Sequence, residues 1–281
     1  MRTFDTPEPV TVSVDLSVGA LQVVAGERAD TVVHVRPADP AEGRDVAAAA
    51  DTVVAFSSGT LTVRGPRQPG FGVFGRVGAV DVLVELPAGS DVQAKLGVGS
   101  AACTGALRQC RLRSGAGDLQ VEDAATVSLT SGMGLVSAGT VTGDATLTTG
   151  SGRLQVRSVA GSAVLKNGNG ETWIGHAGGH VQVNSANGDI AADHTDASIT
   201  ANTANGDIRV SELVRGSATL RSAAGRIDVG IRPGTAAQLD VHTRFGRIRN
   251  EMTAADGPTD GDERAQVRAR TAFGDILVHR S

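Results

Sequence analysis

The chain has 281 residues, a formal net charge of −4, six Phe, one Trp and no Tyr. The charge disfavours a general nucleic-acid-binding protein, and a single Trp supplies few of the aromatic platforms on which sugars and single-stranded nucleic acids stack. The first nine residues lack the apolar core of a secretory signal, and no apolar run predicts a membrane-spanning helix, so we expect a cytoplasmic protein. Its two cysteines make no disulfide framework and fit the same reducing compartment.

The first 94 residues predict an irregular β region. Apolar and polar side chains alternate with the two-residue period of a β-strand in six segments: 10–16, 20–24, 31–36, 52–56, 60–64 and 80–86. Only the segment 38–51 predicts a helix, and the Gly- and Pro-rich segment 64–76 predicts a surface loop. We interpret residues 1–94 as a β-strand capping region that is continuous with the remainder of the chain.

Residues 95–281 repeat one phrase about every 18 residues, and each copy is centred on a glycine. Two copies are SGAGDLQV at 114–121 and TGSGRLQV at 149–156. The anchor glycines of the ten copies are Gly99, Gly117, Gly134, Gly152, Gly170, Gly188, Gly206, Gly225, Gly246 and Gly274. Apolar and polar side chains alternate on both sides of each glycine, so each copy predicts a strand, a glycine turn and a second strand. The polar insertion at 250–264 predicts an exposed loop.

A polar column accompanies the glycines. The position three residues before the anchor glycine is Ser, Thr or Asn in nine copies: Ser114, Ser131, Thr149, Asn167, Ser185, Thr203, Ser222, Thr243 and Thr271. A meander of hairpins and a β-solenoid both fit the copies, but the column favours the solenoid, because stacked hydroxyls and amides can hydrogen-bond along its axis. We therefore predict an all-β fold, a single-stranded β-solenoid (β-helix) of about 18 residues per coil with the less regular cap at its N-terminal end.

Four phrases resemble one family of β-strand-repeat proteins. They are FDTPEP at 4–9, KNGNGETWIG at 166–175, TRFG at 243–246 and TAFGDI at 271–276. They look like the DUF4097 family in its actinobacterial form, whose members are often labelled adhesins. The resemblance covers essentially the whole chain and implies a β-helix-like fold, but it implies no catalytic residue.

The column after the anchor glycine resembles the acidic positions of calcium-binding coils. Asp stands there in four copies: Asp118, Asp189, Asp207 and Asp275. A calcium coil needs oxygen ligands at successive turns, but Arg153 and Arg226 occupy the same column and would oppose a cation. We interpret the column as a solvated outer row of mixed charge, which also limits lateral aggregation.

The cysteines and histidines do not predict a metal centre either. Cys103 and Cys110 fall in inward-facing columns, which predicts buried apolar side chains. His176 and His180 are four residues apart, but the glycines around them predict a turn, in which that spacing aligns nothing. His194 is interpreted in the same way, so we expect all three to be exposed loop histidines. We therefore expect the protein to bind no metal and no cofactor.

Catalytic motifs are absent from the sequence. Gly150-Ser151-Gly152 is a repeat turn rather than a nucleophile elbow, and the two lysines belong to no phosphate-binding loop. A carbohydrate-active β-helix enzyme would need a carboxylate pair in a groove with an aromatic lining. Carboxylates on the predicted strands are scattered, so we expect that the protein is not an enzyme.

The few aromatic side chains predict two further features, one at Trp173 and one at Phe245 and Phe273. Trp173 stands where the repeat has a polar residue, and it predicts either an exposed recognition residue or a contact with the loop 64–76. Trp173 and the neighbouring Glu171 are therefore the candidate interaction residues. Phe245 and Phe273 each precede an anchor glycine and predict a pair that closes the C-terminal end.

These patterns predict a non-catalytic β-solenoid scaffold or protein-interaction module that offers a long flat face to an unidentified protein partner. No nucleic-acid partner and no integral membrane segment are expected. Two alternatives stay open: a cell-surface adhesin-like protein and a carbohydrate-active β-helix enzyme. Open strands at the ends of the coil also predict self-association.

Overall fold

The computed structural model describes residues 1–66, 78–253 and 263–281. Within these ranges the chain forms 24 strands and one helix, in two compact units, Met1–Ser137 and Ala138–Ser281. Most of the two predicted loops, 64–76 and 250–264, lies outside the described residues. The predicted boundary between residues 94 and 95 stays a prediction.

The first unit contains the helix and nine strands. Its elements are β1 (Arg2–Asp5), β2 (Thr11–Gly26), β3 (Asp30–Pro37), α1 (Gly43–Asp51), β4 (Val53–Ser57), β5 (Thr60–Arg64), β6 (Val80–Pro87), β7 (Asp91–Val98), β8 (Ala101–Ala116) and β9 (Leu119–Met133). The six predicted N-terminal strands coincide with β2 to β6, since the first two of them merge into β2. The helix is shorter than the predicted segment 38–51.

The second unit begins within β10 and consists of strands throughout its described residues. They are β10 (Val136–Val141), β11 (Ala145–Ser151), β12 (Leu154–Val159), β13 (Ala163–Asn169), β14 (Thr172–Ala177), β15 (Val181–Asn187), β16 (Ile190–Thr195), β17 (Ile199–Asn205), β18 (Ile208–Leu213), β19 (Gly216–Ala224), β20 (Ile227–Ile231), β21 (Ala236–Phe245), β22 (Ile248–Asn250), β23 (Arg264–Phe273) and β24 (Ile276–Arg280).

Each regular coil consists of two strands joined by the glycine turn, and it stacks in parallel on the next coil. β13 pairs with β15, which places Leu165 opposite Val183, and β14 pairs with β16, which places Ile174 opposite Ala192. In the first unit β7, β8 and β9 pair in the same parallel way. A meander of hairpins would have made these pairs antiparallel. The predicted β-solenoid is therefore confirmed.

The second unit has two walls. Wall A comprises the strands before the glycine turns (β11, β13, β15, β17, β19, β21 and β23), and wall B those after them (β12, β14, β16, β18, β20, β22 and β24). Alternate side chains of both walls point inward, and Leu165 of wall A and Ile174 of wall B are completely buried. The core is a narrow stack of Leu, Ile, Val and Ala, which explains the scarcity of aromatic side chains.

A row of side-chain hydrogen bonds follows the glycine turns. The hydroxyl of Ser114 donates to the carbonyl of Gly99 at 2.9 Å, and the amide of Asn167 donates to the carbonyl of Gly152 at 3.1 Å. The same bond to the adjacent coil is made by Ser131, Thr203, Ser222, Thr243 and Thr271. Thr149 is buried opposite Asn167 in this row. The side chains thus bind carbonyl groups of the adjacent coil rather than one another.

The anchor glycines are required by conformation and by space. Nine of the ten have a positive φ: Gly99, Gly117, Gly134, Gly152, Gly170, Gly188, Gly206, Gly225 and Gly274. A Cβ at Gly188 would overlap the carbonyl oxygen of Gly170 in the adjacent coil. A larger residue would therefore force successive coils apart at this corner.

The acidic column after the glycines has a structural role. The carboxylate of Asp189 accepts a hydrogen bond from the backbone N–H of Asp207 at 2.8 Å, and Asp207 does the same for Arg226 at 2.7 Å. The carboxylate of Asp275 accepts from the N–H of Arg247 at 2.8 Å. These carboxylates satisfy backbone donors where the turn interrupts strand pairing.

The last coils of the second unit do not follow chain order. β23 lies between β19 and β21, and β24 lies between β20 and β22. The chain therefore builds the outermost coil, β21–β22, before it returns to fill the place beside β19–β20. The anchor glycines stack in the order Gly225, Gly274 and Gly246, whereas the repeat in the sequence suggests Gly225, Gly246 and Gly274.

The first unit is interleaved in the same way, and its outer coil is covered. The first half of β2 lies between β5 and β7, and its second half lies between β6 and β8. The outer coil consists of β5 and β6. β4 covers it by pairing antiparallel with β5, and β3 covers it by pairing antiparallel with β6. β1 extends this cover and α1 packs on β3 and β6. Covered edges do not recruit a strand from another chain.

The outer coil of the second unit is less protected. Within the described residues no further strand pairs with β21 or β22, and Phe245 and Ile248 expose 60% and 45% of their surface. Phe245 and Phe273 stack with ring centroids 5.0 Å apart. The predicted aromatic pair therefore forms, but it lies at the surface and does not close the coil.

Candidate functional site on wall B

Four side chains on the outer surface of wall B form a cluster. The parallel registers place His176 of β14 opposite His194 of β16, and His194 opposite Glu212 of β18. Asp196 follows β16 in the next turn and lies beside both histidines. We call these four residues the histidine cluster.

The carboxylate of Asp196 bridges the two imidazole rings. Its Oδ2 lies 2.8 Å from Nε2 of His176, and its Oδ1 lies 3.0 Å from Nε2 of His194. The ring centroids of the two histidines are 5.1 Å apart. Nδ1 of His194 lies 3.2 Å from Oε2 of Glu212, so both nitrogens of this ring face a carboxylate.

The electrostatics of the cluster are dominated by Asp196. Burial raises the pKa of its carboxyl, the hydrogen bonds from His176 and His194 lower it, and the balance is a pKa below the ordinary value. The group is therefore ionised near neutral pH. An anionic carboxylate between two imidazoles can hold protons or a metal cation.

Trp173 lies near the cluster on the same strand. Its indole N–H donates a 3.0 Å hydrogen bond to Asp193, and its ring covers Gly175, where a Cβ would lie 3.0 Å from the indole. The side chain is half-buried and leaves part of its ring accessible. The contact with the loop 64–76 suggested by the sequence falls mainly on residues outside the described ranges.

Glu171 does not belong to this cluster. It lies in the glycine turn before β14 and forms an ion pair with Arg153 of the neighbouring coil at 2.9 Å. Both side chains are largely exposed, so the pair contributes little to stability. The two candidate interaction residues are thus engaged with different neighbours.

The interpretation of the histidines as loop residues was wrong for His176 and His194, which lie in strands. His180 does lie in a turn, outside the cluster. The informative spacing was the 18 residues between His176 and His194, one coil of the repeat, rather than the four residues between His176 and His180. The repeat spacing does not reveal the contact of Asp196 with the two histidines, because that contact depends on the path of the turn after β16.

The cysteines occupy the core of the first unit. Cys103 and Cys110 are free and buried, with their sulfur atoms 3.8 Å apart. The hydrogen bond to Cys103 and burial both raise the pKa of the Cys110 thiol. The Cys110 thiol is therefore protonated near neutral pH, and both thiols are shielded by burial, which is typical of a packing role.

Similarity to known proteins concerns the fold. The family profile described as Toastrack DUF4097 matches residues 40–279. A "putative cell adhesion protein" from Clostridium sporogenes aligns at 9% identity over 100% of this chain and 98% of that chain, with a TM-score of 0.29. A "putative adhesin" from Bacteroides fragilis aligns at 12% identity over 99% and 95%, with a TM-score of 0.35. No curated protein matches, and among the described residues no helix is long and apolar enough to cross a membrane.

Proposed function

Because the chain belongs to the Toastrack DUF4097 family, a β-solenoid family, we propose that it is a non-catalytic scaffold that binds a protein partner on wall B. The observation that carries this proposal is Trp173, a half-buried indole held on a regular sheet surface. Tryptophan is enriched among the residues that dominate binding energy at protein interfaces.

The packing beneath this surface supports a scaffold role. Ile174 and Ala192 under the site are completely buried, and the parallel registers fix each outward position relative to the next coil. A rigid surface loses little conformational entropy when a partner binds. The hydrogen bond to Asp193 holds the indole in one orientation before binding.

A capture experiment with two matched variants tests the proposal. Trp173→Ala removes the indole from wall B, and Gln182→Ala removes an exposed side chain from β15 in wall A. We expect wild type and Gln182→Ala to capture the same proteins from native lysate, with at least one of them lost from Trp173→Ala. Circular dichroism verifies that both variants fold. Equal capture by all three proteins would contradict the use of wall B.

The compartment is part of the same proposal. We place the protein in the cytoplasm, and the two unpaired thiols of Cys103 and Cys110, 3.8 Å apart, support a reducing environment. Cell fractionation tests this placement against the cell-surface alternative. Recovery of the chain outside the membrane would contradict it.

A further inference from the structure

The histidine cluster has the composition of a metal site. We propose that His176, His194 and Asp196 bind one divalent transition-metal ion, with Zn²⁺ as the first candidate. This inference stands independently of the proposed scaffold function. It replaces the expectation from the sequence that no metal is bound, because that expectation rested on treating the histidines as unrelated loop residues.

The three donor groups are close enough to share one ion. One ligand atom from each residue can be chosen so that all three lie within 4.8 Å of one another. Zn²⁺ binds imidazole nitrogen and carboxylate oxygen at about 2.0–2.2 Å, which puts tetrahedral ligands roughly 3.3 Å apart. The distances from Asp196 to His176 and His194, 2.8 and 3.0 Å, are already near this value. The ion would take the place of the protons that now lie between ring nitrogens and carboxylate.

A second observation independently points to a metal ligand. Nδ1 of His194 faces Oε2 of Glu212 at 3.2 Å, and Oε1 of Glu212 lies 3.6 Å from Nε of Arg232. Metal-binding histidines commonly donate their second ring N–H to a carboxylate, which orients the ring and increases its basicity. Glu212 has this position, and it directs Nε2 of His194 towards Asp196.

The backbone holds the ligands in place without the ion. His176 and His194 lie on neighbouring parallel strands in register. The turn that carries Asp196 is tied to β14 by a 2.9 Å hydrogen bond from its N–H to the carbonyl of Ala177. Ligands on rigid elements need little rearrangement on binding.

The donor set selects a class of metal. Two imidazoles and one carboxylate suit Zn²⁺, Ni²⁺, Cu²⁺ and Co²⁺, whereas Ca²⁺ and Mg²⁺ prefer six or more oxygen ligands. Three protein ligands leave a fourth position of a tetrahedral ion for water or a donor group from another molecule. His176 has a side chain 46% exposed, so this position is accessible from solvent.

Isothermal titration calorimetry with ZnCl₂ tests the site on the full chain after removal of any histidine tag. We expect one Zn²⁺ per chain, and a stoichiometry unchanged by a large excess of Mg²⁺ or Ca²⁺. His176→Ala and His194→Gln should each abolish this binding. The control His180→Ala removes a histidine from the turn between β14 and β15, outside the cluster, and should leave binding unchanged.

Two further measurements separate a metal site from a structural cluster. Glu212→Gln keeps all three ligands and should weaken Zn²⁺ binding by about 10–100-fold. Zn²⁺ should raise the melting temperature of wild type and His180→Ala but not of His176→Ala, since a ligand stabilises the form that binds it. Absence of stoichiometric Zn²⁺ binding in wild type, or equal binding by His176→Ala and His180→Ala, would overturn the proposal.

Discussion

The hydroxyl of Thr243 donates a 2.9 Å hydrogen bond to the carbonyl of Gly274, which lies 31 residues further along the chain. Thr271, in turn, donates to Gly225 at 3.0 Å. Each hydroxyl therefore binds the coil beside it in space, although the coils are interleaved. The hydrogen bonds of the Ser/Thr column are therefore made between coils that are neighbours in space, even where those coils are not consecutive in the chain.

The crowding at the glycine corner predicts a large loss of stability on substitution. At Gly188 a Cβ would overlap the carbonyl of Gly170 at a φ of 131°, whereas at Gly234 a Cβ would meet nothing within 4 Å at a φ of 87°. We expect Gly188→Ala to lower the free energy of unfolding by about 3 kcal/mol or more, and Gly234→Ala by only about 1 kcal/mol. Urea denaturation measures both, and equal losses would show that crowding between coils is unimportant.

The hydroxyl row provides a pair of serines for comparison. Ser222 donates to the carbonyl of Gly206 at 3.0 Å, while the hydroxyl of Ser185 is buried without a partner. Ser222→Ala should cost about 1 kcal/mol of unfolding free energy, because it leaves a carbonyl less satisfied. Ser185→Ala should be neutral or slightly stabilising, because it removes a hydroxyl that makes no bond. The reverse ranking in urea denaturation would contradict this account of the row.

The buried thiols predict resistance to alkylation. The pKa of the Cys110 thiol is raised by its hydrogen bond to Cys103 and by burial, so the native protein should not react with iodoacetamide at neutral pH. Both cysteines should react once the chain is unfolded in urea. Mass spectrometry counts the added groups, and rapid labelling of the native protein would show that the thiols are accessible.

The same shift predicts how stability depends on pH. The folded pKa of Cys110 lies above its unfolded value, so its contribution is complete below about pH 8.5 and declines as the pH rises towards the folded pKa. In that window the unfolding free energy of wild type should fall more steeply with pH than that of Cys110→Ala. Parallel urea titrations between pH 8 and pH 10 measure the difference, and identical slopes would contradict it.

The outer coil of the second unit predicts self-association. Ile248 is 45% exposed on β22, and no strand pairs with the outer edge within the described residues. Light scattering after size-exclusion chromatography should show a mass that increases with concentration, and Ile248→Lys should prevent the increase. Val53→Lys alters an apolar residue of the first unit that is even more exposed, at 60%, and serves as the control. A strict monomer at high concentration would exclude this contact.

Much of the coil could be predicted from local patterns. The period of 18 residues, the alternating apolar side chains and the glycine column specify one coil, and each coil interacts mainly with its neighbours. For the same reason the inward position of Cys103 and Cys110 could be predicted from their columns. Only part of the candidate site could be predicted from the sequence. Trp173 stood out as the single Trp, but its hydrogen bond to Asp193 depends on how the indole lies across its own strand and the next.

The sequence by itself determined the coil, because a repeated set of residues buries the same surface and makes the same hydrogen bonds at every turn. The tertiary structure decided two things that no single coil contains. It placed Gly274 between Gly225 and Gly246, since any coil with the right columns can stack on any other. It also brought His176, His194 and Asp196 together, because neighbouring strands and the path of one turn, rather than proximity in the chain, set those distances.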